Sequence, residues 1–261
     1  MLPEKPLVYL VLGASGSGRR EVLVDLIEDG LGEGTHPAVM VAETEAASAA
    51  DVRLPGLARW VWQDGAIVGT LPEDATHVFL VADGGRNPVD QAEVFKPWVQ
   101  AQGGEIGRVL CVINCQLAEK HPPLLAWYEA CVHFADVVLL NRREGVANKW
   151  LSEFQNHFKK LYYPCLFEFV KEGRVRNPAL VLIPEARRMS QAFDEEQDLI
   201  FRNAEGEEID EEDEEEEDEI EAVPAEDPYF ERRMGGRRVK EIPDIAKFLD
   251  AEKSVAPPPK K

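Results

Sequence analysis

The chain has 261 residues, with 29 Lys and Arg against 49 Asp and Glu, so its formal net charge is −20 and its pI about 4.7. This balance argues against nucleic-acid binding, which needs a basic surface. No apolar run reaches the roughly 18 residues of a membrane-spanning helix, and the first run, 7–12, is too short for a signal-peptide core. We therefore expect a cytoplasmic protein that binds neither nucleic acid nor membrane.

Short apolar runs alternate with helical patterns up to about residue 200. The predicted strands are 7–12, 38–42, 59–63, 77–82, 108–113, 136–140, 165–170 and 180–183. Several consist almost entirely of Val, Ile and Leu, which is typical of strands covered on both faces. The alternation predicts a doubly wound α/β domain with a mainly parallel sheet over residues 1–200.

Three helices carry signals of their own. An apolar stripe over 22–27 has helical spacing, and a second stripe repeats every four residues over 146–158. Asn87 followed by Pro88 predicts a helix start, with an N-cap and a proline in the first turn. The aromatic residues of the second stripe are interpreted as core packing.

The four cysteines, Cys111, Cys115, Cys131 and Cys165, lie singly in apolar runs. This spacing does not resemble a disulfide framework and agrees with a cytoplasmic location. Cys111 and Cys115 alone are close enough to form half of a metal site. We favour the interpretation that all four are small buried hydrophobic residues.

The composition changes after residue 200. Residues 205–221 include 14 acidic residues and no basic one, and without them the formal charge would be −6. We predict an acidic disordered linker over 201–228, because such a run cannot bury enough apolar surface to become ordered.

A basic and amphipathic tail is predicted over 229–261. It contains a basic cluster (Arg232, Arg233, Arg237, Arg238 and Lys240) and then apolar residues at helical spacing (Ile242, Ile245, Phe248 and Leu249). The tail is either a docking peptide, folding on a partner or back on its own domain, or a solvated segment without a partner. An unknown protein partner of the linker and tail is left open.

The first strand leads into a glycine-rich turn, 13–20, that reads Gly-Ala-Ser-Gly-Ser-Gly-Arg-Arg. A strand, a glycine-rich loop and a helix in this order form a phosphate cradle, in which backbone N–H groups and the helix N-terminus face the anion. Gly13 and Gly18 match the P-loop template G-x-x-x-x-G-K-[S/T]. The alternative is a tight strand-to-helix turn without a ligand.

Two residues depart from the template. Arg19 stands where the lysine belongs, and its guanidinium can still donate to phosphate oxygens. Arg20 stands where a hydroxyl normally binds magnesium, and a guanidinium repels that ion. The loop is therefore expected to retain phosphate recognition more readily than catalysis.

The order of this loop and of segments 62–71, 81–88 and 134–144 resembles the CobW/HypB/UreG family of P-loop GTPases. The resemblance covers roughly residues 6–165 and depends on order and spacing, because no single motif is intact. It implies a P-loop NTPase-like fold.

The metal-binding segment of that family reads about N-G-C-I-C-C-T-L. Here it corresponds to 64–71, Asp-Gly-Ala-Ile-Val-Gly-Thr-Leu, in which all three thiols are replaced. The next family segment, about E-T-S-G-L-A-D-P, matches at Gly84 and Pro88, but Val81 replaces its glutamate. Asp83 could approach a cation or brace the turn, and bracing is favoured.

The resemblance places the base-recognition motif N-K-x-D at 141–144. Asn141 is retained, Arg142 replaces the lysine and Glu144 replaces the aspartate. A carboxylate in this place accepts hydrogen bonds from guanine. The alternative is that Glu144 only begins the next helix, where an acidic residue suits the helix dipole.

We interpret the chain as a degenerate P-loop GTPase-like protein, a pseudo-GTPase that binds a nucleotide or another anion, or acts as a regulatory module, without efficient hydrolysis. The alternatives are an active GTP-hydrolysing protein of the CobW/HypB/UreG type and an interaction protein whose acidic segment is the working part. No catalytic residue and no metal is predicted. The residues expected around GTP or another nucleotide are Gly13, Ser15, Gly16, Ser17, Gly18, Arg19, Arg20, Asp83, Gly84, Asn141, Arg142 and Glu144.

Overall fold

The computed structural model describes residues 5–194, 199–202, 208–209, 221–224 and 226–255. The chain divides into two compact units. The first, called here the sheet unit, comprises Met1–Met189 and Ile242–Lys261, and the second comprises Ser190–Glu241. The predicted domain boundaries after residues 200 and 228 stay predictions.

An eight-stranded sheet organises the sheet unit. Its strands are β1 (Leu7–Leu12), β2 (Pro37–Ala42), β3 (Ala58–Gln63), β4 (Ala66–Val68), β5 (His77–Val81), β6 (Glu105–Asn114), β7 (Val137–Asn141) and β8 (Leu166–Phe169). Their order is β4-β3-β2-β5-β1-β6-β7-β8, and every neighbouring pair is parallel except β3 and β4. The prediction of a doubly wound, mainly parallel α/β sheet is therefore confirmed.

Seven α-helices are found among the described residues: α1 (Arg19–Gly30), α2 (Pro88–Ala101), α3 (Cys115–Lys120), α4 (Leu125–Phe134), α5 (Asn148–Lys160), α6 (Pro178–Leu182) and α7 (Ile245–Val255). The three helices predicted from their own signals are confirmed as α1, α2 and α5. Asn87 Oδ1 accepts a hydrogen bond from Val89 N at 2.9 Å, so it is the N-cap of α2 as predicted.

Both faces of the sheet are covered, which explains the continuous apolar strands. Tyr9 and Val11 of β1 belong to a buried cluster that includes residues of α1 and α6, such as Leu23 and Leu182. The alternate residues Val8 and Leu10 are equally buried. Helices α2 and α4 contact the sheet through β6. This arrangement leaves the carboxyl ends of the central strands to form one edge of the sheet.

The predicted strand at 180–183 is wrong, because this segment lies largely in α6. Asn177 Oδ1 accepts a hydrogen bond from Leu180 N at 3.2 Å, and Pro178 occupies the first turn. A short apolar run has no periodicity that separates a strand from a buried helix. The Asn-Pro pair before it was the better signal.

The antiparallel strand β4 was missed. Asp64 and Gly65 have positive φ angles of 49° and 79° and connect β3 to β4 in a tight hairpin. An Asp-Gly pair is a strong hairpin signal, because both central residues of this turn type need positive φ. The segment that resembles the family's cysteine motif, 64–71, thus contains the turn and the second strand of the edge hairpin.

All four cysteines are free and buried, as predicted for small hydrophobic residues. Burial raises the pKa values of the Cys115 and Cys165 thiols to about 12. Among the residues described, no group of three or more His, Cys, Asp and Glu side chains could hold a metal ion.

Part of the predicted acidic linker falls within strands of the second unit. Strand β9 (Leu199–Arg202) pairs antiparallel with β10 (Glu208–Ile209) and with β11 (Glu221–Pro224). The rest of 201–228 lies outside the described residues, except 226–228.

In the basic cluster, Lys240 Nζ lies 4.0 Å from the centroid of the Tyr229 ring. None of the described helices is long and apolar enough to span a bilayer.

Candidate functional site

The glycine-rich loop connects the end of β1 at Leu12 to the start of α1 at Arg19. Gly18, the N-cap of α1, has a φ of 86° and no side chain to occupy the helix N-terminus. A Cβ atom at Gly18 would lie 2.4 Å from Asn141 Nδ2. Asn141 donates from this nitrogen to Ser17 O at 2.8 Å. The loop and the Asn141 segment are therefore brought together.

A carboxylate that the sequence analysis missed, Glu45, lies against this loop. Its Oε1 atom accepts hydrogen bonds from Ser15 Oγ at 2.7 Å, from Gly84 N at 2.9 Å and from Arg19 Nη2 at 2.5 Å. The side chains of Arg19 and Glu45 are only 3% and 6% exposed. An anionic group of the chain itself thus engages the arginine that the template would direct at phosphate.

Gly84 is pressed against the loop. Ser15 N donates to Gly84 O at 3.2 Å, and a Cβ atom at Gly84 would lie 2.2 Å from Ser15 N. Any side chain would push the loop away from the end of β5. The glycine is required for this close approach, which also aims its N–H at Glu45.

The pKa of Glu45 is lowered from its ordinary value of 4.5. Burial alone would raise this pKa, but the charge of Arg19 and the hydrogen bonds from Gly84, Ser15 and Arg19 outweigh it. The carboxylate is therefore ionised at neutral pH.

Acid is expected to weaken this contact. Because the pKa of Glu45 is lower in the folded chain than in the unfolded chain, its stabilising contribution is full above the unfolded-state pKa and is lost as the pH falls through the folded-state pKa. Urea unfolding between about pH 7 and about pH 3 should show a shallower loss of stability for Glu45→Gln than for the wild type. Equal slopes would contradict the assignment.

Arg20 is bound to the segment that follows Glu45. Its Nη1 atom lies 2.8 and 2.9 Å from the two carboxylate oxygens of Asp51, and its Nη2 donates to Ala46 O at 2.6 Å. The short 3-10 helix Ala49–Arg53 begins with a capping box in which Asp51 also takes part. Arg20 therefore fixes residues 46–51 beside the loop.

The third arginine expected near phosphate, Arg142, lies 3.4 Å from Glu21 at Nη2–Oε1. All three arginines predicted at the site thus face carboxylates. The pair at Arg142 is about half exposed, and such pairs contribute little to stability. These three arginines therefore bring no surplus of positive charge to the loop.

Asp83 braces the turn after β5. Its Oδ1 accepts from Gly85 N at 2.9 Å, and Oδ2 lies 3.5 Å from Arg86 Nε. Its backbone exchanges hydrogen bonds with the Gln91 side chain. This geometry suits the bracing role favoured in the sequence analysis.

Three other residues predicted at the site, Ser17, Gly16 and Glu144, make fewer side-chain contacts there. The Ser17 hydroxyl is buried near Gly13 and has no hydrogen-bond partner in the described structure. Gly16, with a φ of 80°, has open space around it. Glu144 has an exposed side chain, and its carbonyl accepts from Gln116 Nε2 at 2.7 Å.

Two clefts meet at the loop. One of about 350 Å³ is bounded by the loop and by the segment carrying Glu45. The other, of about 570 Å³, is bounded by Ser15, Gly16, Asp83, residues of α3 and one side of α7. Both volumes fall near or within the range of small-molecule sites.

A magnesium–nucleotide complex does not fit this arrangement. Glu45 occupies the donors of Ser15, Arg19 and Gly84, so a phosphate there would meet a buried carboxylate. The guanidinium of Arg20 stands in place of the hydroxyl that magnesium requires. An anion that used these three donors without the metal would have to displace Glu45.

The sequence contained a signal for the residue that was missed, Glu45. Glu45 follows β2, and the carboxyl ends of parallel strands meet at the same edge of the sheet as the loop. A buried arginine also needs a counter-charge. These two facts indicate an acidic partner after β2 but do not select Glu45 over Glu43.

The sheet order and the loop after β1 define a P-loop NTPase-like α/β fold. No protein-family model and no curated protein matches the chain. Among solved structures, it is similar to the Zn(II)-bound YjiA GTPase from E. coli (15% identity, 70% of this chain and 67% of that one, TM-score 0.38) and to the hydrogenase maturation factor HypB from Archaeoglobus fulgidus (16%, 63% and 81%, 0.40). It is also similar to the cell division protein FtsY from Thermotoga maritima (16%, 69% and 68%, 0.42).

YjiA and HypB are members of the CobW/HypB/UreG family, which is the family that the sequence resembles. At these identities the similarity concerns the fold.

Proposed function

We propose that this chain is a degenerate P-loop GTPase-like protein, a regulatory module that binds a nucleotide or another anion without efficient hydrolysis. One observation carries the proposal: the buried carboxylate of Glu45 holds the donors with which a P-loop would bind phosphate. The carboxylate of Glu45 therefore occupies the place of a bound anion at the loop.

The charge balance supports an inhibited cradle. An incoming phosphate must break the Arg19–Glu45 pair and move a carboxylate whose other donors are Ser15 and Gly84. Breaking a buried pair costs several kcal/mol, on the order of 3–5, because one charge is left uncompensated. Anions therefore bind weakly unless Glu45 is displaced or neutralised.

The lack of hydrolysis rests on different residues. Phosphoryl transfer needs a positioned metal and stabilisation of the developing charge. Arg20 replaces the metal-binding hydroxyl and is committed to Asp51, and Val81 stands where the related GTPases have a glutamate. These substitutions leave donors for an anion but remove the hydroxyl and the glutamate that the resemblance places near magnesium.

Glu45→Gln is expected to increase the affinity for pyrophosphate at least tenfold, which corresponds to about 1.4 kcal/mol. The amide keeps the size of the side chain and an acceptor oxygen, but it leaves the charge of Arg19 available to the ligand. Isothermal titration with pyrophosphate, GDP and GTP, each with and without magnesium, measures the change. Magnesium should not strengthen binding.

Glu43→Gln is the matched control, because Glu43 is an exposed acidic residue two positions away. It should leave the affinity unchanged. Equal affinities of the wild type and Glu45→Gln would contradict the proposal. Saturable GTP hydrolysis by the wild type, abolished by Gly84→Ala, would favour the alternative of an active GTPase of the CobW/HypB/UreG type.

A further inference from the structure

Helix α7 lies beside the glycine-rich loop, although more than 200 residues separate the two along the chain. It belongs to the sheet unit, and not to the second unit that precedes it. Ala246, Leu249 and Asp250 bound the cleft of about 570 Å³, whose other walls include Ser15 and Gly16. The helix therefore covers one approach to the loop.

Apolar side chains of α7 pack against the sheet unit. Ile245 at its start is 1% exposed. The Phe248 ring packs edge-on against His121, with 5.4 Å between ring centroids and 70° between ring planes. Leu249 is half-buried and faces the cleft. Among the side chains of α7 that the structure describes, only Ile245 is buried, and an element with so little buried surface can open locally at a lower cost than global unfolding.

The side that faces the cleft is unfavourable for a polyphosphate. Of the residues that α7 contributes to the cleft, Ala246 and Leu249 are apolar and Asp250 is acidic, so the helix adds no cation there; the other walls carry Asp83 and Lys120. A ligand with several phosphate charges would gain from removing this wall, since like charges repel most strongly in a partly enclosed site.

We propose that α7 is a displaceable lid that limits the access of anions to residues 13–20. This inference rests on the proposed function, because it takes the loop to be the anion site. When α7 is docked, it forms one wall of the cleft beside Ser15 and Gly16, and when α7 leaves, the loop is open from that side. The lid lowers the apparent affinity by reducing the fraction of molecules in which the loop is open, whereas Glu45 lowers the intrinsic affinity of the open loop.

The test uses the full chain with Glu45→Gln as background, so that binding is measurable. Leu249→Asn weakens docking without changing the charge, and Leu249→Met is the matched control that keeps an apolar side chain of similar volume. Phe248→Ala is a second, independent way to release the helix. If the docked state is about 90% populated, release should raise the apparent affinity for pyrophosphate roughly tenfold.

A second readout needs no ligand. Hydrogen exchange of a peptide covering 13–20 should become faster in Leu249→Asn and Phe248→Ala, and should not change in Leu249→Met. Unchanged exchange and unchanged pyrophosphate affinity in both release variants, with native circular dichroism, would overturn the lid. Faster exchange with no pyrophosphate binding in any variant would keep the lid and overturn the proposed function of the loop.

Discussion

Replacing Arg19 by Met is expected to lower the free energy of unfolding by about 3–5 kcal/mol, because it leaves the carboxylate of Glu45 buried without its counter-charge. Both side chains are almost fully buried, so solvent cannot screen the loss. Methionine has a similar length, which keeps the cavity term small. Urea unfolding at neutral pH, followed by tryptophan fluorescence and circular dichroism, measures the difference.

Two controls isolate the ion pair. Arg53→Met removes an arginine from a pair with Glu28 that is about half exposed, and it should cost less than about 1 kcal/mol. The double variant Arg19→Met/Glu45→Gln should recover part of the loss, because no unpaired charge remains. An Arg19→Met cost as small as that of Arg53→Met would contradict a buried ion pair in the cradle.

Asp136→Ala should be comparably destabilising, by about 3–5 kcal/mol, for a reason unrelated to the loop. Asp136 is fully buried and accepts hydrogen bonds from Val109 N at 2.7 Å, Arg187 N at 2.6 Å and Arg188 Nη1 at 3.1 Å. It fixes the segment after α6 against β6. Its removal orphans two backbone donors and takes the carboxylate away from a buried arginine.

The control variants compare the buried carboxylate of Asp136 with an exposed carboxylate. Asp136→Asn keeps an acceptor oxygen and the size of the side chain, so this variant should lose less stability than Asp136→Ala. Glu105→Ala removes a carboxylate that pairs with Lys5 and is 57% exposed, so its effect should be within about 0.5 kcal/mol. Chemical denaturation measures all three variants. A similar small loss for Asp136→Ala and Glu105→Ala would show that the buried network contributes little.

These expectations share one feature of the molecule. The arginines that make the loop look suited to phosphate are already neutralised by carboxylates of the same chain, Glu45, Asp51 and Glu21. The loop joins a strand to a helix as a phosphate cradle does, while its cations form internal ion pairs. Under the proposed function, the affinity for anions depends on how easily those carboxylates are displaced.

Local patterns in the sequence were enough to predict most of the fold. Apolar runs such as Leu7–Leu12 and the Asn87-Pro88 helix start carry their signals within a few residues, since strand and helix periodicity are short-range properties. The strand predicted at 180–183 was wrong because this apolar run is too short to show either a helical or a strand periodicity. The Asp64-Gly65 pair was enough to predict a hairpin, but this segment was compared only with a family motif.

The sequence by itself determined the strand–loop–helix unit, the two substituted positions Arg19 and Arg20, and the identity of most strands. Only the tertiary structure decided what those arginines do, because Glu45 and Asp51 reach them across 26 and 31 positions of chain. The same holds for α7, which approaches the loop from the far end of the sequence. Such pairings depend on how the strands are ordered in the sheet, and short-range periodicity does not encode that order.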